Sequence, residues 1–332
     1  MEGIITITYR CNARCYMCNT WKYPTKSEEE IKPEHLKSLP QMVFCNLTGG
    51  EPFLRDDAIE FAKEVSKHTK RLVMSTNGYF TDKIVDLVKE MKMGVGIRVS
   101  LEGLPSANDE LRGIKDGFDH GLRTILKLKE MGLKDLGFAI TVSDRNAKDI
   151  MELYTLSKYL QLEFATAILH NGYYFHIFDN AIKDKQMVIG EFNKLMQALF
   201  KTRRLKNWFR AYFNYGIKNY IKGNPRLLPC EMGREIFLID PLGEIKPCNC
   251  FDMSMGNIKE QPFDVIWNSP RAEEVKKSAS NCGKNCWMIG SASPAMKKEI
   301  WKPIKWILKN RRKYIKGHFP EESKTNQGDR QD

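Results

Sequence analysis

The chain has 332 residues, 42% of them hydrophobic, with nine cysteines and a net charge of +12. That length carries one large domain and a smaller one, and it contains no run of about 18 apolar residues that could span a membrane. The excess charge is local: residues 297–316 hold nine Lys or Arg against one Glu, so the body of the chain is not marked as a nucleic-acid binder.

The N-terminus opens directly into a β-like run, with no basic-then-apolar leader. We therefore expect a cytoplasmic protein whose cysteines ligate metal rather than form disulfides.

From residue 1 to about 200, short β-branched runs alternate with amphipathic stretches of helical length. The runs predict strands at 4–8, 42–48, 71–76, 95–101, 136–142 and 163–169. Helices are predicted near 34–39, 57–68, 82–92, 119–131, 147–159 and 187–201. Six β-then-α units in series predict a parallel sheet with crossover helices. Such sheets carry function on the loops that follow the strand C-termini.

The distinctive residues fall on those loops. Cys11, Cys15 and Cys18 follow the first run, Gly49-Gly50-Glu51-Pro52 the second, Thr76-Asn77-Gly78 the third and Ser100-Leu101-Glu102-Gly103 the fourth. Each Gly or Asn-Gly pair alone reads as a turn. Three thiols within eight residues suit a soft-metal site, and their odd number suits one with an open position. A zinc loop is the competing reading, but zinc usually takes a fourth protein ligand, and the first histidine is His35. Lone Cys45, mid-strand, reads as a small buried side chain.

Residues 201–227 are basic and aromatic and read as a helical linker that packs its aromatic face. From 228 to 290 the texture changes. A hairpin is predicted from Ile236-Phe237-Leu238-Ile239 through Asp240-Pro241-Leu242-Gly243 to Glu244-Ile245-Lys246. Cys230 precedes it, Cys248 and Cys250 follow it, and Cys282 and Cys286 close the segment beyond a helical stretch at 264–278. So small a unit needs a metal centre to be stable. Residues 291–316 read as one basic amphipathic helix. Trp301, Ile304, Ile307, Leu308 and Ile315 gather on one side, and Lys302, Lys305, Lys309, Arg312, Lys313 and Lys316 on the other. Residues 317–332 read as a disordered tail.

The Cys11-x3-Cys15-x2-Cys18 spacing, the Gly-Gly-Glu-Pro motif and the six β/α units together resemble the radical S-adenosylmethionine (radical SAM) superfamily. One departure is that Met17, rather than an aromatic residue, precedes the third cysteine. The resemblance implies a partial (β/α)6 barrel over residues 1–200 and a 4Fe–4S cluster held by the three cysteines. S-adenosylmethionine would chelate the remaining iron and be cleaved to a 5′-deoxyadenosyl radical. Glu51 would receive the methionyl ammonium beside Gly49 and Gly50. Asn77, Ser100, Glu102 and Arg112 match positions around the amino acid and ribose, and Asn146 is a weaker match.

Cys230, Gly243 and Cys248 fit the opening pattern of the auxiliary-cluster extension called twitch, the short relative of the SPASM domain. The resemblance implies one auxiliary 4Fe–4S cluster on Cys230, Cys248, Cys282 and Cys286, with Cys250 spare and a zinc site on the same thiolates as the alternative.

A small-molecule substrate (sugar-, cyclitol- or lipid-linked) is the leading expectation, the auxiliary cluster accepting an electron and a flavodoxin or ferredoxin supplying one. Maturation of a ribosomally made peptide is the alternative; a barrel that starts at residue 4 weighs against a leader-binding module ahead of it. A non-catalytic iron–sulfur electron carrier is the reading from another class. The basic helix could place the enzyme at a membrane surface. His170 and Tyr173–Tyr174, after the sixth strand, could face substrate or pack at the rim.

Overall fold

A computed structural model describes residues 1–319. The predicted tail therefore lies, from residue 320 on, outside the described residues. Six strands run in parallel in sequence order: β1 (Glu2–Thr6), β2 (Phe44–Thr48), β3 (Leu72–Thr76), β4 (Val95–Ser100), β5 (Leu136–Val142) and β6 (Glu163–Ile168). Each is joined to the next by helical chain: α1 (Ala58–Ser66), α2 (Thr81–Glu90), α3 (Pro105–Arg112), α4 (Gly117–Glu130) and α5 (Ile150–Tyr159) follow β2 to β5. This is the expected partial (β/α)6 barrel, with Ile5, Leu47, Met74, Ile97, Phe138 and Ile140 buried in the hydrophobic core on the strand faces opposite those that line the barrel interior.

Two details differ from the sequence pattern. β1 begins two residues earlier than predicted, because β2 starts opposite Glu2 and Lys297 neutralises that buried carboxylate at 2.7 Å. Ile7 and Thr8 have already left the strand to begin the cysteine loop. Helix α3 was not anticipated: it is only 8 residues long and Leu111 is its one large apolar side chain, too little for a helical pattern to be read.

After β6 come α6 (Lys185–Lys201) and α7 (Leu205–Ile221), packed antiparallel. Helix α7 buries Tyr212, Phe213 and Ile217.

The predicted hairpin exists as β7 (Ile236–Ile239) and β8 (Glu244–Lys246), but it is not a separate sheet. Strand β7 pairs in parallel with β1, and β8 and the short β9 (Gly256–Asn257) continue antiparallel, giving the order β6-β5-β4-β3-β2-β1-β7-β8-β9. All four residues of β7 are buried, and a strand apolar on both faces needs cover on both.

The predicted 264–278 helix is two helices, α8 (Phe263–Trp267) and α9 (Pro270–Ser280). The chain breaks at Ser269, whose hydroxyl caps Ala272 N–H at 3.1 Å, and Pro270 opens the next helix.

The single C-terminal helix is likewise two, α10 (Ile289–Lys298) and α11 (Trp301–Ile315). The inward face of α11 also differs. Pro303, Ile307, Asn310 and Tyr314 are buried against α6 and α7, whereas Trp301 and Leu308 are exposed. The reason is aromatic: Trp306 stacks on Tyr215 at 4.4 Å and Tyr314 packs at 5.7 Å from Phe200, so rings rather than aliphatics set the rotation.

Candidate active site

The loop after β1 is held at both ends. Arg14 N–H donates to Arg112 C=O at 2.8 Å and Tyr16 N–H to Leu111 C=O at 3.0 Å, so the end of α3 docks the cysteine loop. Farther on, Asn19 N–H donates to Phe175 C=O at 2.7 Å and Cys18 N–H to Cys15 C=O at 3.2 Å. The Gly-Gly turn lies against the loop's near side. A Cβ on Gly50 would stand 2.3 Å from Arg10 O, so only glycine permits this approach.

A cavity of about 350 Å³ opens over the strand ends. The structure brings Cys11, Cys15, Cys18, Gly49, Gly50, Asn77, Ser100, Glu102 and Arg112 to its wall. Burial pushes the Cys11 thiol up to about 12 and raises Cys15 and Cys18 as well; the Arg112 guanidinium opposes this at all three. Arg112 and Glu102 form a buried ion pair at 2.9 Å, and the other Glu102 oxygen accepts Thr141 N–H at 2.6 Å. Burial raises the Glu102 carboxyl against the pull of Arg112. For Arg112, burial acts to lower the value, but Cys15, Glu102, Cys11 and Glu51 outweigh it and hold the guanidinium charged. Its buried Nε has no hydrogen-bond partner among the described residues. An orphaned cationic donor in a cavity wall suits a carboxylate ligand.

Two expected contact residues sit behind the wall instead. Glu51 is fully buried, and its carboxylate accepts Thr76 Oγ1–H at 2.8 Å, Asn77 N–H at 2.7 Å and Phe53 N–H at 3.2 Å. It ties the Gly-Gly turn to the end of β3. Burial raises its pKa while those donors oppose the shift. Asn146 is also a brace: its amide donates to Glu102 C=O at 2.7 Å and Thr141 C=O at 3.0 Å.

Tyr174 is a wall residue, and its hydroxyl donates to Gly49 C=O at 2.9 Å. Asn12 was missed by sequence reasoning: it accepts from the Asn77 amide at 2.7 Å and fixes the β3 loop to the cysteine loop. Its place inside the cysteine motif was the available signal.

The second cavity, about 510 Å³, is lined by Cys230, Cys248, Cys250, Cys282 and Cys286. Cys250 N–H donates to Cys248 Sγ at 3.4 Å, and Cys250 Sγ–H to Asn171 C=O at 3.3 Å. Burial pushes Cys248 up to about 12. Cys286 is lowered, first by the neighbouring Cys250 thiol and then, against its burial, by the Arg226 and Lys284 charges. Met232, Asn249, Met288 and Ser291 line both cavities, so the two sites share a wall. Cys45 is buried away from both, as its position mid-strand implied.

Trp287 anchors the second site. Its indole N–H donates to Phe213 C=O at 2.9 Å, and its backbone N–H donates to His170 Nε2 at 3.1 Å. A Cβ on Gly216 of α7 would stand 2.0 Å from the indole. His170 is therefore neither a free cavity group nor simple rim packing. Its Nδ1–H donates to Ile168 C=O at 2.7 Å, which leaves Nε2 as the acceptor.

Among the described residues, no three His, Cys, Asp or Glu side chains converge closely enough to hold a single metal ion. Thiolates on one zinc at about 2.3 Å would stand only about 4 Å apart. The donor sets that line the two cavities are rich in cysteine thiols, which is the chemistry of iron–sulfur ligation.

A parallel partial barrel with three cysteines on its first loop, followed by a cysteine-rich segment joined to the same sheet, defines a radical SAM enzyme with an auxiliary iron–sulfur domain. The chain belongs to that superfamily: the Radical SAM superfamily profile matches residues 5–156 and an iron–sulfur cluster-binding domain profile, SPASM, matches residues 230–287. It therefore takes a 4Fe–4S cluster, S-adenosylmethionine and an auxiliary iron–sulfur centre.

Among curated proteins it is 25% identical to Fe-coproporphyrin III synthase of Methanosarcina barkeri, over 85% of this chain and 79% of that one. It is 26% identical to the antilisterial bacteriocin subtilosin biosynthesis protein AlbA of Bacillus subtilis, over 83% of this chain and 61% of that one. Among solved structures it resembles native anSMEcpe with bound AdoMet (TM-score 0.61, 14% identity, 94% of this chain and 99% of that chain). It also resembles Streptococcus suis SuiB bound to S-adenosylmethionine (TM-score 0.62, 16% identity, 86% and 72%). Those two likenesses concern the fold.

Proposed function

We propose that this chain is a radical SAM maturase of a ribosomally made peptide or protein. Three curated relatives favour this reading by name: AlbA, the sporulation killing factor maturation protein SkfB of Bacillus subtilis and the mycofactocin maturase MftC of Mycolicibacterium smegmatis. None of them supports the sugar or cyclitol expected from the sequence.

The observation that carries the proposal is the shared wall between two small cavities. A first cavity of about 350 Å³ is at the low end of ligand sites, and S-adenosylmethionine must occupy much of it. Substrate must therefore reach the site from outside, and a peptide can present one side chain to it.

In this reading Cys11, Cys15 and Cys18 hold the first cluster. When bound and reduced, that cluster would supply the electron for reductive cleavage of S-adenosylmethionine and so for hydrogen abstraction from substrate. Arg112 Nε receives the methionyl carboxylate. The backbone of Gly49 and Gly50 lines the ammonium seat, with Glu51 holding that turn in shape. Glu102 fixes Arg112, and the buried wall excludes water. Cys230, Cys248, Cys282 and Cys286 would hold the auxiliary cluster in the second cavity, where it would supply an electron acceptor or a substrate ligand.

The test is anaerobic reconstitution with S-adenosylmethionine, a one-electron reductant and small peptides encoded beside the gene. The expected result is a mass change in one peptide, with deuterium passing from the labelled peptide into 5′-deoxyadenosine. An enzyme that cleaves S-adenosylmethionine, returns every peptide unchanged and takes deuterium from a sugar or tetrapyrrole instead would overturn it.

A further inference from the structure

Helix α11 has two faces with the same spacing and opposite fates. Pro303, Ile307, Asn310 and Tyr314 point inward and are buried. Trp301, Lys305, Leu308 and Arg312, at the same i, i+4, i+7, i+11 interval, form the outward stripe. On that stripe Trp301 is 69% exposed and Leu308 75% exposed. They are among the most exposed large apolar side chains of the described residues, and one seven-residue interval separates them on a single face. Lys309 and Lys316 lie beside them, also exposed. From residue 300 to 319 the chain has no acidic residue, and among the described residues Lys302 is the cation of this stretch with an ion-pair partner, Glu299.

The neighbouring surface has the same character. Arg311, on the flank of α11, sits 4.1 Å over the Trp208 ring and donates to Phe200 C=O at 3.3 Å. The α6–α7 turn therefore adjoins the stripe, and it adds Arg204 and Leu205, both exposed, the latter at 63%. No helix of the described residues is long and apolar enough to cross a membrane. The arrangement is of another kind: apolar side chains at the centre of an exposed cationic face, on a helix whose other face is fixed to the protein.

We propose that the outward face of α11 is a docking surface for an anionic lipid bilayer, with α11 lying in the plane of the interface. Trp301 and Leu308 enter the headgroup boundary, and the surrounding Lys and Arg meet the lipid phosphates. A nucleic acid would use the cations but would gain nothing from leucine at their centre, so the apolar pair favours lipid. The surface is independent of the two cysteine sites, so it holds whatever the substrate is.

The test is co-sedimentation of the full-length holoprotein with vesicles of phosphatidylcholine alone or mixed with phosphatidylglycerol. Two double variants are compared with it, Trp301→Ala with Leu308→Ala and Lys305→Glu with Arg312→Glu. All four side chains are exposed, so thermal midpoint and cluster absorbance should match the wild type. We expect binding to the mixed vesicles, little to phosphatidylcholine alone, weakening in high salt, and a loss of about tenfold or more in each variant. Wild-type protein left in the supernatant would overturn the proposal, as would either variant binding like wild type. RNA binding that survives Trp301→Ala with Leu308→Ala, without vesicle binding, would give the surface to nucleic acid instead.

Discussion

The two cysteine sites are built on opposite plans. The first takes three cysteines from eight consecutive residues, on a loop pinned by α3, the Gly-Gly turn and the loop after β6. The second gathers its cysteines across residues 230–286, from loops around one short hairpin and two short helices. Residues 282–288 form no regular element, and their anchor is Trp287. The first site is thus preorganised by the sheet, whereas the second depends on its metal centre and on one aromatic side chain. Metal ligation contributes folding energy where a preformed site is weak.

The largest expected effect separates the sites by activity. Cys15→Ala should reduce 5′-deoxyadenosine formation to background while the barrel stays folded by circular dichroism. Cys248→Ala should keep S-adenosylmethionine cleavage, lose part of the iron and open residues 228–290 to limited proteolysis. If Cys15→Ala were the variant that opened that segment, the two plans would have to be exchanged.

Next is the charge pair on which the first site is built. Arg112→Ala leaves Glu102 buried without its cation, which should cost about 3–5 kcal/mol in denaturant unfolding and abolish S-adenosylmethionine binding. Arg112→Lys should recover part of the stability but little of the binding, because one ammonium cannot serve Glu102 and a ligand carboxylate together. A loss below about 1 kcal/mol would show that the pair is solvated and not preorganising.

The aromatic anchor tests the second plan. Trp287→Ala should cost about 3–5 kcal/mol through the cavity it leaves. Gly216→Ala should cost about 1–3 kcal/mol by forcing the indole away from α7. Both should raise proteolysis at 228–290 with S-adenosylmethionine cleavage retained. Loss of cleavage in Gly216→Ala would mean that the two sites fold as one unit.

This difference also governs what could be read from the chain before any coordinates. The barrel and its cavity residues were legible because β/α alternation is local and function follows strand ends. The five cysteines that line the second cavity were legible as a group from their clustering in the sequence. What spacing cannot carry is the direction of a side chain. Glu51 and Asn146 belong to the right loops, yet their polar atoms turn away from the cavity to satisfy backbone and hydroxyl groups. The orientation of α11 depended on Tyr215 and Phe200, about a hundred residues upstream. The union of Gly216, Trp287 and His170 likewise joins three segments that share no local pattern.

That union yields the smallest effect, and it acts where the two regions meet. Burial holds His170 down to about 4, with the Arg226 charge adding to the effect and its bond to Ile168 opposing it. The neutral ring is the form that accepts Trp287 N–H, and a proton on Nε2 would set two donors against each other. The folded value lies below the ordinary histidine value near 6.5, so the unfolded chain binds the proton first as pH falls. Stability should therefore be full above about pH 7, decline through pH 6.5 and level off near pH 4. Between pH 7 and 5 the loss should be about 1–2 kcal/mol, read as a falling thermal midpoint by tryptophan fluorescence. His170→Gln keeps an acceptor for Trp287 but cannot titrate, so its midpoint should change less over the same range. If the two proteins track each other with pH, the latch between barrel and auxiliary segment does not titrate through His170, and the second site depends on its metal centre and Trp287 alone.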